Sequence, residues 1–106
     1  MPKYLIQASY TTKGIQGLVG DSASGRRADL QAAVKAVGGK VEAFYYAFGP
    51  DDVIIILELP DNVTAAAMGL TASGSGTVRL RTTPLLTVEE VDKALEVKTR
   101  YRAPGQ

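Results

Sequence analysis

Neither cysteine nor histidine occurs among the 106 residues of this sequence. Without cysteine the chain can form no disulfide, no iron–sulfur cluster and no thiol nucleophile. Without histidine it lacks the commonest general base and the commonest transition-metal ligand, which excludes a Ser-His-Asp relay and a zinc site of the usual kind. We therefore expect no metal site and no cofactor.

The chain also lacks a large excess of charge of one sign and a long apolar run. Twelve basic residues face eleven acidic ones, so the formal net charge of +1 gives no strong field for nucleic acid or an anionic membrane. The longest apolar run, residues 53–57, is far shorter than the ~20 residues that cross a bilayer. The first residues do not form a basic segment followed by an apolar one. We expect a cytoplasmic protein that binds neither nucleic acid nor a membrane.

The composition is that of an ordinary folded domain. Hydrophobic residues make up 45% of the chain and charged residues 22%, and the mean hydropathy is +0.01. A chain of this length buries one core and has no room for a second. We predict a single domain over residues 1–97 and a basic C-terminal tail over residues 98–106, which contains Lys98, Arg100 and Arg102.

Strand and helix signals alternate along the chain. They predict strands over residues 3–10, 40–48, 52–59 and 77–83, and helices over residues 12–38, 65–70 and 87–95. Glycines weaken the first helix and predict a break near residues 22–25, while Thr87 and Glu90 fit a capping box. The order is β-α-β-β-α-β with a terminal helix. It predicts an α+β, ferredoxin-like fold with a four-stranded antiparallel sheet covered by helices on one face.

Strand alternation separates the two faces of this sheet. The helix-covered face is predicted to carry small and apolar residues: Tyr4, Ile6, Ala8, Val41, Ala43, Tyr45, Ala47, Val53, Ile55, Leu57, Leu59, Val78 and Leu80. The open face is predicted to mix large apolar residues with charged ones: Gln7, Ser9, Glu42, Phe44, Tyr46, Phe48, Ile54, Ile56, Glu58, Arg79 and Arg81. A one-residue bulge would exchange the faces of a strand.

The open face is the candidate functional surface, because an exposed apolar patch normally marks an interface or a ligand site. The interface or ligand-binding candidates are Gln7, Tyr10, Lys13, Phe44, Tyr46, Phe48, Glu58, Arg79 and Arg81. Adjacent acids at Asp51 and Asp52 lie at a predicted strand-to-strand corner, where Asp52 is expected to accept hydrogen bonds from nearby backbone N–H groups. No phosphate-binding motif accompanies Gly14, Gly17 and Gly20.

Four segments of the chain resemble the GYD-domain proteins: YLIQASYTTKGIQGL, GGKVEAFYYAFGPDD, VIIILELPD and RLRTTPLLTVEEVDKAL. In the Gly-Tyr-Asp signature of that family, Gly49 and Asp52 match, Pro50 is a spacer and Asp51 stands where tyrosine is expected. The resemblance implies a dimeric α/β-barrel relationship and brings no catalytic residue with it.

Two main classes of function remain open at this point, and a third, a regulatory ligand sensor of the same βαββαβ topology, is disfavoured because the link at residues 49–51 is too short for an effector loop. The first is a homo-oligomeric assembly or small-molecule-binding module that uses the open face, with a second copy of the chain as partner. The second is a cofactor-independent enzyme of oxygenase or isomerase type acting on a small aromatic or enolic substrate, in which Tyr10, Lys13, Tyr46, Glu58, Arg79 and Arg81 would hold the substrate or transfer protons.

Overall fold

A computed structural model describes residues 1–106 as an open, four-stranded antiparallel sheet with helices packed on one face. The elements in chain order are β1 (Lys3–Tyr10), α1 (Thr12–Val19), α2 (Ala23–Ala36), β2 (Lys40–Tyr46), β3 (Val53–Glu58), α3 (Asn62–Gly74), β4 (Val78–Leu85) and α4 (Val88–Glu96). The strand order in the sheet is β2-β3-β1-β4. The α+β, ferredoxin-like prediction is confirmed. None of the helices has the length and hydropathy that a membrane-spanning helix requires.

Side-chain caps explain where the helices begin. Thr11, Ser22, Asp61 and Thr87 each accept a hydrogen bond from the backbone N–H three residues further on, which satisfies one of the unpaired donors of a first turn. The capping box predicted at Thr87 is present in full, since the carboxylate of Glu90 accepts the N–H of Thr87 in return.

Two predicted boundaries are corrected by these caps. The break in the first helical segment is real, but it lies at residues 20–22, because Ser22 begins a new helix instead of ending the old one. The helix predicted over residues 65–70 is too short: Asp61 starts α3 one turn earlier, and packing against β4 carries it through the serine and glycine residues that were expected to stop it.

The core lies between the helices and the inner face of β1 and β3. It contains eight buried hydrophobic residues: Tyr4, Ala8, Val34, Val53, Ile55, Leu57, Leu59 and Ala65. The ring of Tyr4 is 1% exposed, and its hydroxyl donates a 2.6 Å hydrogen bond to Oδ1 of Asn62, so its polar atom is satisfied inside this apolar cluster. The helix-side assignment of β1 and β3 from alternation is therefore confirmed.

A β-bulge in β2 overturns the predicted faces of that strand. Val41 pairs with Leu57 and Ala43 with Ile56, so β2 uses one more residue than β3 across this step. Every residue after the bulge changes face relative to simple alternation. Phe44 therefore packs against the core on the helix side, and Tyr46 lies on the same side with its hydroxyl at Ala23 of α2, while Tyr45 faces the open side, which is the reverse of the prediction.

The last helix stands apart from this body. All residues of α4 are exposed, and α4 makes no substantial packing contact with any other helix or strand. Beyond it, residues 97–106 form no helix or strand. The last element ends at Glu96, and the packed part of the chain ends earlier, with β4.

Candidate functional site

A deep cleft opens on the helix-covered side of the sheet. Helix α2 packs on the edge strand β2, and α3 packs on the opposite edge strand β4. Ile6, Val53 and Ile55 of the central strands β1 and β3 form the base of the cleft, between the two helices. Its volume is about 940 Å³, which is within the usual range of ligand pockets, roughly 300–1,000 Å³.

The walls of the cleft are mostly apolar and built from small side chains. On α2 they come from Leu30, Ala33 and Val37, which recur at helical spacing. On α3 a stripe at the same kind of spacing faces them, formed by Val63, Thr64, Ala67, Met68, Thr71, Ala72 and Ser75. Alanine and threonine on facing helices leave space that larger residues would fill, and this accounts for the volume of the cleft.

Two hydrogen-bond donors of the cleft lining, Tyr10 and Arg26, lie near each other. Tyr46 lies close to Tyr10. Burial raises the pKa of the Tyr10 phenol, and the neighbouring Tyr46 raises it further, so the phenol keeps its proton and acts as a hydrogen-bond donor. The Tyr46 hydroxyl donates to the carbonyl of Ala23 at 3.1 Å, and its ring meets Phe44 edge to face with centroids 5.2 Å apart.

The guanidinium of Arg26 lies at the solvent edge of the cleft. Its Nη1 is 3.3 Å from Oδ2 of Asp29, one helical turn away on the same face of α2. Both side chains are about half exposed or more, so this ion pair is weak and screened by water. Arg26 is therefore free to turn toward an acceptor inside the cleft without losing a strong partner.

The corner between β2 and β3 is hydrogen-bonded to β1 beside the cleft. Oδ2 of Asp52 accepts the backbone N–H of Tyr10 at 2.8 Å, and the N–H of Asp52 donates to the carbonyl of Ala8, also at 2.8 Å. The predicted structural role of Asp52 is confirmed: it fixes the backbone of Tyr10 at the end of β1. Asp51 has a different partner, because its Oδ2 accepts from Nη2 of Arg81 at 2.9 Å and from Nε2 of Gln7 at 3.4 Å.

The open face has an apolar centre between charged ends. Its centre, given by the strand register, consists of Leu5, Ala43, Tyr45, Ile54 and Ile56. At one end Nζ of Lys3 lies 2.8 Å from Glu42 and 4.0 Å from Glu58, and the hydrogen bond to Glu42 raises the pKa of Lys3. At the other end Arg81 is paired with Asp51. The side chain of Arg79, two residues away on the same face, has no hydrogen bond or ion pair within the chain.

The structure divides the predicted site residues into separate groups. Tyr10 and Phe44 line the cleft with Tyr46 beside them, whereas Gln7, Glu58, Arg79 and Arg81 lie on the open face, on the other side of the sheet. Lys13 belongs to neither group, since its Nζ donates to the carbonyl of Ser75 at 3.3 Å. Phe48 lies in the corner after β2 and is fully exposed. One pocket that joins Tyr46 to Glu58 and Arg79 therefore does not form.

Sequence reasoning missed the helix residues of the cleft. Arg26, Ala33 and Met68 carried no motif that distinguishes them from ordinary helix residues. One signal was available in the sequence. Helix α3 carries no charged residue on any side, whereas a helix that contacts a single edge strand needs an uncharged stripe on one side only.

No three acidic side chains come close enough together to hold a metal ion. The arrangement is suited to binding an apolar molecule through one polar group.

A family model described as the GYD domain matches residues 4–95. Comparison with curated proteins and with solved structures gives no significant match. The matched segment begins in β1 and reaches the last turn of α4, so it includes the cleft, the corner at Asp51 and Asp52, and the open face. This chain therefore belongs to the GYD domain family.

Proposed function

We propose that this GYD domain is a small-molecule-binding module whose ligand occupies the cleft between α2 and α3. The observation that carries the proposal is the combination of a mostly apolar cleft of about 940 Å³ with two neighbouring hydrogen-bond donors, Tyr10 and Arg26, in its lining. Apolar walls supply affinity, while a few polar groups fix the orientation of a ligand. The binding function expected from the sequence is thereby moved from the open face to the helix-covered face.

The chemistry of these two donors defines the class of ligand. The Tyr10 phenol keeps its proton because its pKa is raised, so it donates a hydrogen bond, and the guanidinium of Arg26 can only donate. A carbonyl or carboxylate on the ligand would accept from both. We propose a mostly apolar molecule, aromatic or aliphatic, with one such accepting group.

Binding is better supported than catalysis. A cofactor-independent oxygenase or isomerase needs a group that removes a proton from its substrate. The phenol of Tyr10 holds its own proton, and the carboxylate of Asp52 accepts the N–H of Tyr10. The carboxylate of Glu58 lies on the opposite side of the sheet. Asp29 is the carboxylate that lines the cleft, but its side chain is 67% exposed and pairs with Arg26, so the enzyme alternative would have to use this solvent-exposed group as its base.

The test uses 2-naphthoate, an aromatic carboxylate of suitable chemistry, in titration calorimetry. Ala33→Phe fills the cleft from its α2 wall and is expected to weaken binding at least about tenfold, equivalent to ~1.4 kcal/mol. Ala32→Phe is the matched control, because Ala32 is the exposed neighbour on the same helix and does not line the cleft. Equal affinity of 2-naphthoate for both variants and the wild type would rule out the cleft as its site.

A second proposal is that two copies of the chain associate through the open face. Its apolar centre would be buried on association, and Tyr45, which is 68% exposed, is its largest exposed side chain. The charges at its ends are already paired within the chain through Lys3 with Glu42 and Arg81 with Asp51. Covering the face with a second copy would therefore leave Arg79 as the main charge without a partner in its own chain, and an unpaired buried charge is the main penalty in burying such a surface.

Light scattering at micromolar concentration tests this association. The wild type is expected to be a dimer, and Tyr45→Asp is expected to be monomeric, because it puts a charge into the apolar centre. Val19→Asp serves as the control, since Val19 is similarly exposed but lies on α1, away from the open face. A wild type that is monomeric in this range would refute the proposal.

A further inference from the structure

The apolar stripe of α4 has no partner within the chain. Val88, Val91 and Leu95 recur at i, i+3 and i+7, so they lie along one face of the helix, and they are 74%, 43% and 79% exposed. An isolated helix of nine residues is marginal in water even with a good cap. A capping box and an amphipathic pattern are both present here, which is typical of a helix that packs against another surface.

The shape of the chain leads to the same conclusion. Its radius of gyration is 17.0 Å, whereas a compact chain of this length is expected to have about 13 Å. The longest dimension is 58 Å against 33 and 23 Å for the others. A single copy therefore extends well beyond the sheet, and α4 does not fold back to cover any part of its own domain.

The charges of the helices indicate which surface α4 would pack against. Helix α4 carries four carboxylates and a single lysine, and Asp92 and Glu96 flank its apolar stripe on one side. Helix α2 has the opposite balance, with three basic residues against one acidic residue, and Arg27 on it is exposed and has no ion-pair partner. The exposed surface of α2 also offers several alanines, which allow another helix to approach closely.

We propose that α4 packs against α2 of a second copy of this chain, with its apolar stripe toward that helix and Asp92 and Glu96 beside the basic residues of α2. The inference rests on the proposed self-association through the open face and adds α4 to that association. Because each copy has one α4 and one α2, a twofold dimer satisfies both helices at once. The open face supplies one part of the interface, and α4 reaches past the edge of the partner's sheet, because α2 lies on the helix-covered side.

The first test measures the dissociation constant of the dimer by analytical ultracentrifugation. Leu95→Asp is expected to raise it about ten- to a hundredfold, the change for losing one buried leucine. The control is Lys93→Gln, on the face of α4 opposite the stripe, which is expected to leave it unchanged. Leu95 contacts little within its own chain, so the variant should melt like the wild type under conditions where both are monomeric.

A charge exchange tests the identity of the receiving helix. Asp92→Lys and Arg27→Glu should each weaken the dimer, and the double variant should restore it, because the ion pair is then reversed and not lost. A dimer that Tyr45→Asp disrupts but that Leu95→Asp leaves intact would overturn the role of α4 and leave the open-face association standing. Weakening by Leu95→Asp without rescue in the double variant would overturn the assignment to α2. A monomeric wild type would refute both.

Discussion

The adjacent acids at the β2–β3 corner are expected to contribute very differently to stability. Asp52 accepts a 2.8 Å hydrogen bond from the backbone N–H of Tyr10 in a half-buried position. Asp51 accepts from Arg81, whose side chain is 66% exposed. Asp52→Ala leaves a backbone donor without its acceptor, whereas Asp51→Ala returns a guanidinium to water. The two substitutions are chemically identical and neighbouring, so their comparison isolates the environment.

The magnitudes follow from these environments. A hydrogen bond to a charged group contributes about 1.5–3 kcal/mol, so Asp52→Ala is expected to lower the free energy of unfolding by about 2 kcal/mol. For a domain of this size that lowers the melting temperature by roughly 10 °C. The Arg81–Asp51 pair is exposed on the arginine side only, since Asp51 is 16% exposed, so Asp51→Ala is expected to lower the free energy of unfolding by about 1 kcal/mol, the upper end of the range for surface pairs. Asp52→Asn keeps an acceptor oxygen but loses the charge, so its loss of unfolding free energy should lie between those of the two alanine variants.

Urea unfolding followed by circular dichroism measures these differences, with thermal melting as a second readout. Repeating the series in about 1 M NaCl should remove most of the Asp51 effect and little of the Asp52 effect, because salt screens the exposed pair more strongly. The reasoning is refuted if Asp51→Ala destabilises the protein as much as Asp52→Ala.

Glycine and cap positions give further predictions. A Cβ on Gly14 would collide with the carbonyl oxygen of Thr77, so Gly14→Ala is expected to lower the free energy of unfolding by at least about 1–3 kcal/mol in urea unfolding. Gly17→Ala meets open space in the same helix and is expected to raise it by up to about 1 kcal/mol; a Gly14→Ala protein as stable as Gly17→Ala would contradict the contact. Hydrogen bonds from Thr64 lower the pKa of Asp61, so the stability from this cap is present above the unfolded pKa of about 3.9 and is lost as pH falls through the folded value. Asp61→Asn keeps a capping oxygen that does not titrate, so its unfolding free energy should fall less than that of the wild type between pH 7 and pH 3, and equal falls would contradict the role of the carboxylate.

Local signals in the sequence were sufficient for most of the fold. The strand Lys3–Tyr10 is observed with the predicted limits, and the capping box at Thr87 and Glu90 begins α4. These features depend on residues close together in the chain, where propensity and hydrogen-bond geometry act directly. The length of α3 is an exception. Low helix propensity of its serine and glycine residues predicts an early end, but packing against β4 extends the helix to Gly74.

The candidate site was less accessible from sequence. The positions of Phe44 and Tyr46 depend on a bulge, and a bulge is defined by pairing with another strand, which alternation within one strand does not contain. The cleft depends on the separation of α2 and α3, set by which strands they cover. Tyr10 was recognised as a candidate from its residue type, but its hydrogen-bonding surroundings come from residues distant in sequence, such as Asp52.

The bulge in β2 also determines how relatives of this chain should be aligned. Glu42 is the additional residue, since Val41 and Ala43 on either side of it pair with consecutive residues of β3. A relative with one residue fewer at this point keeps every other pairing, so an alignment gap belongs at Glu42 and Phe44 stays on the cleft side. A relative of equal length that lacks the bulge carries its aromatic residues on the opposite face. Among chains of equal length, the presence of this bulge therefore decides whether the aromatic residues of β2 lie in the cleft or on the open face.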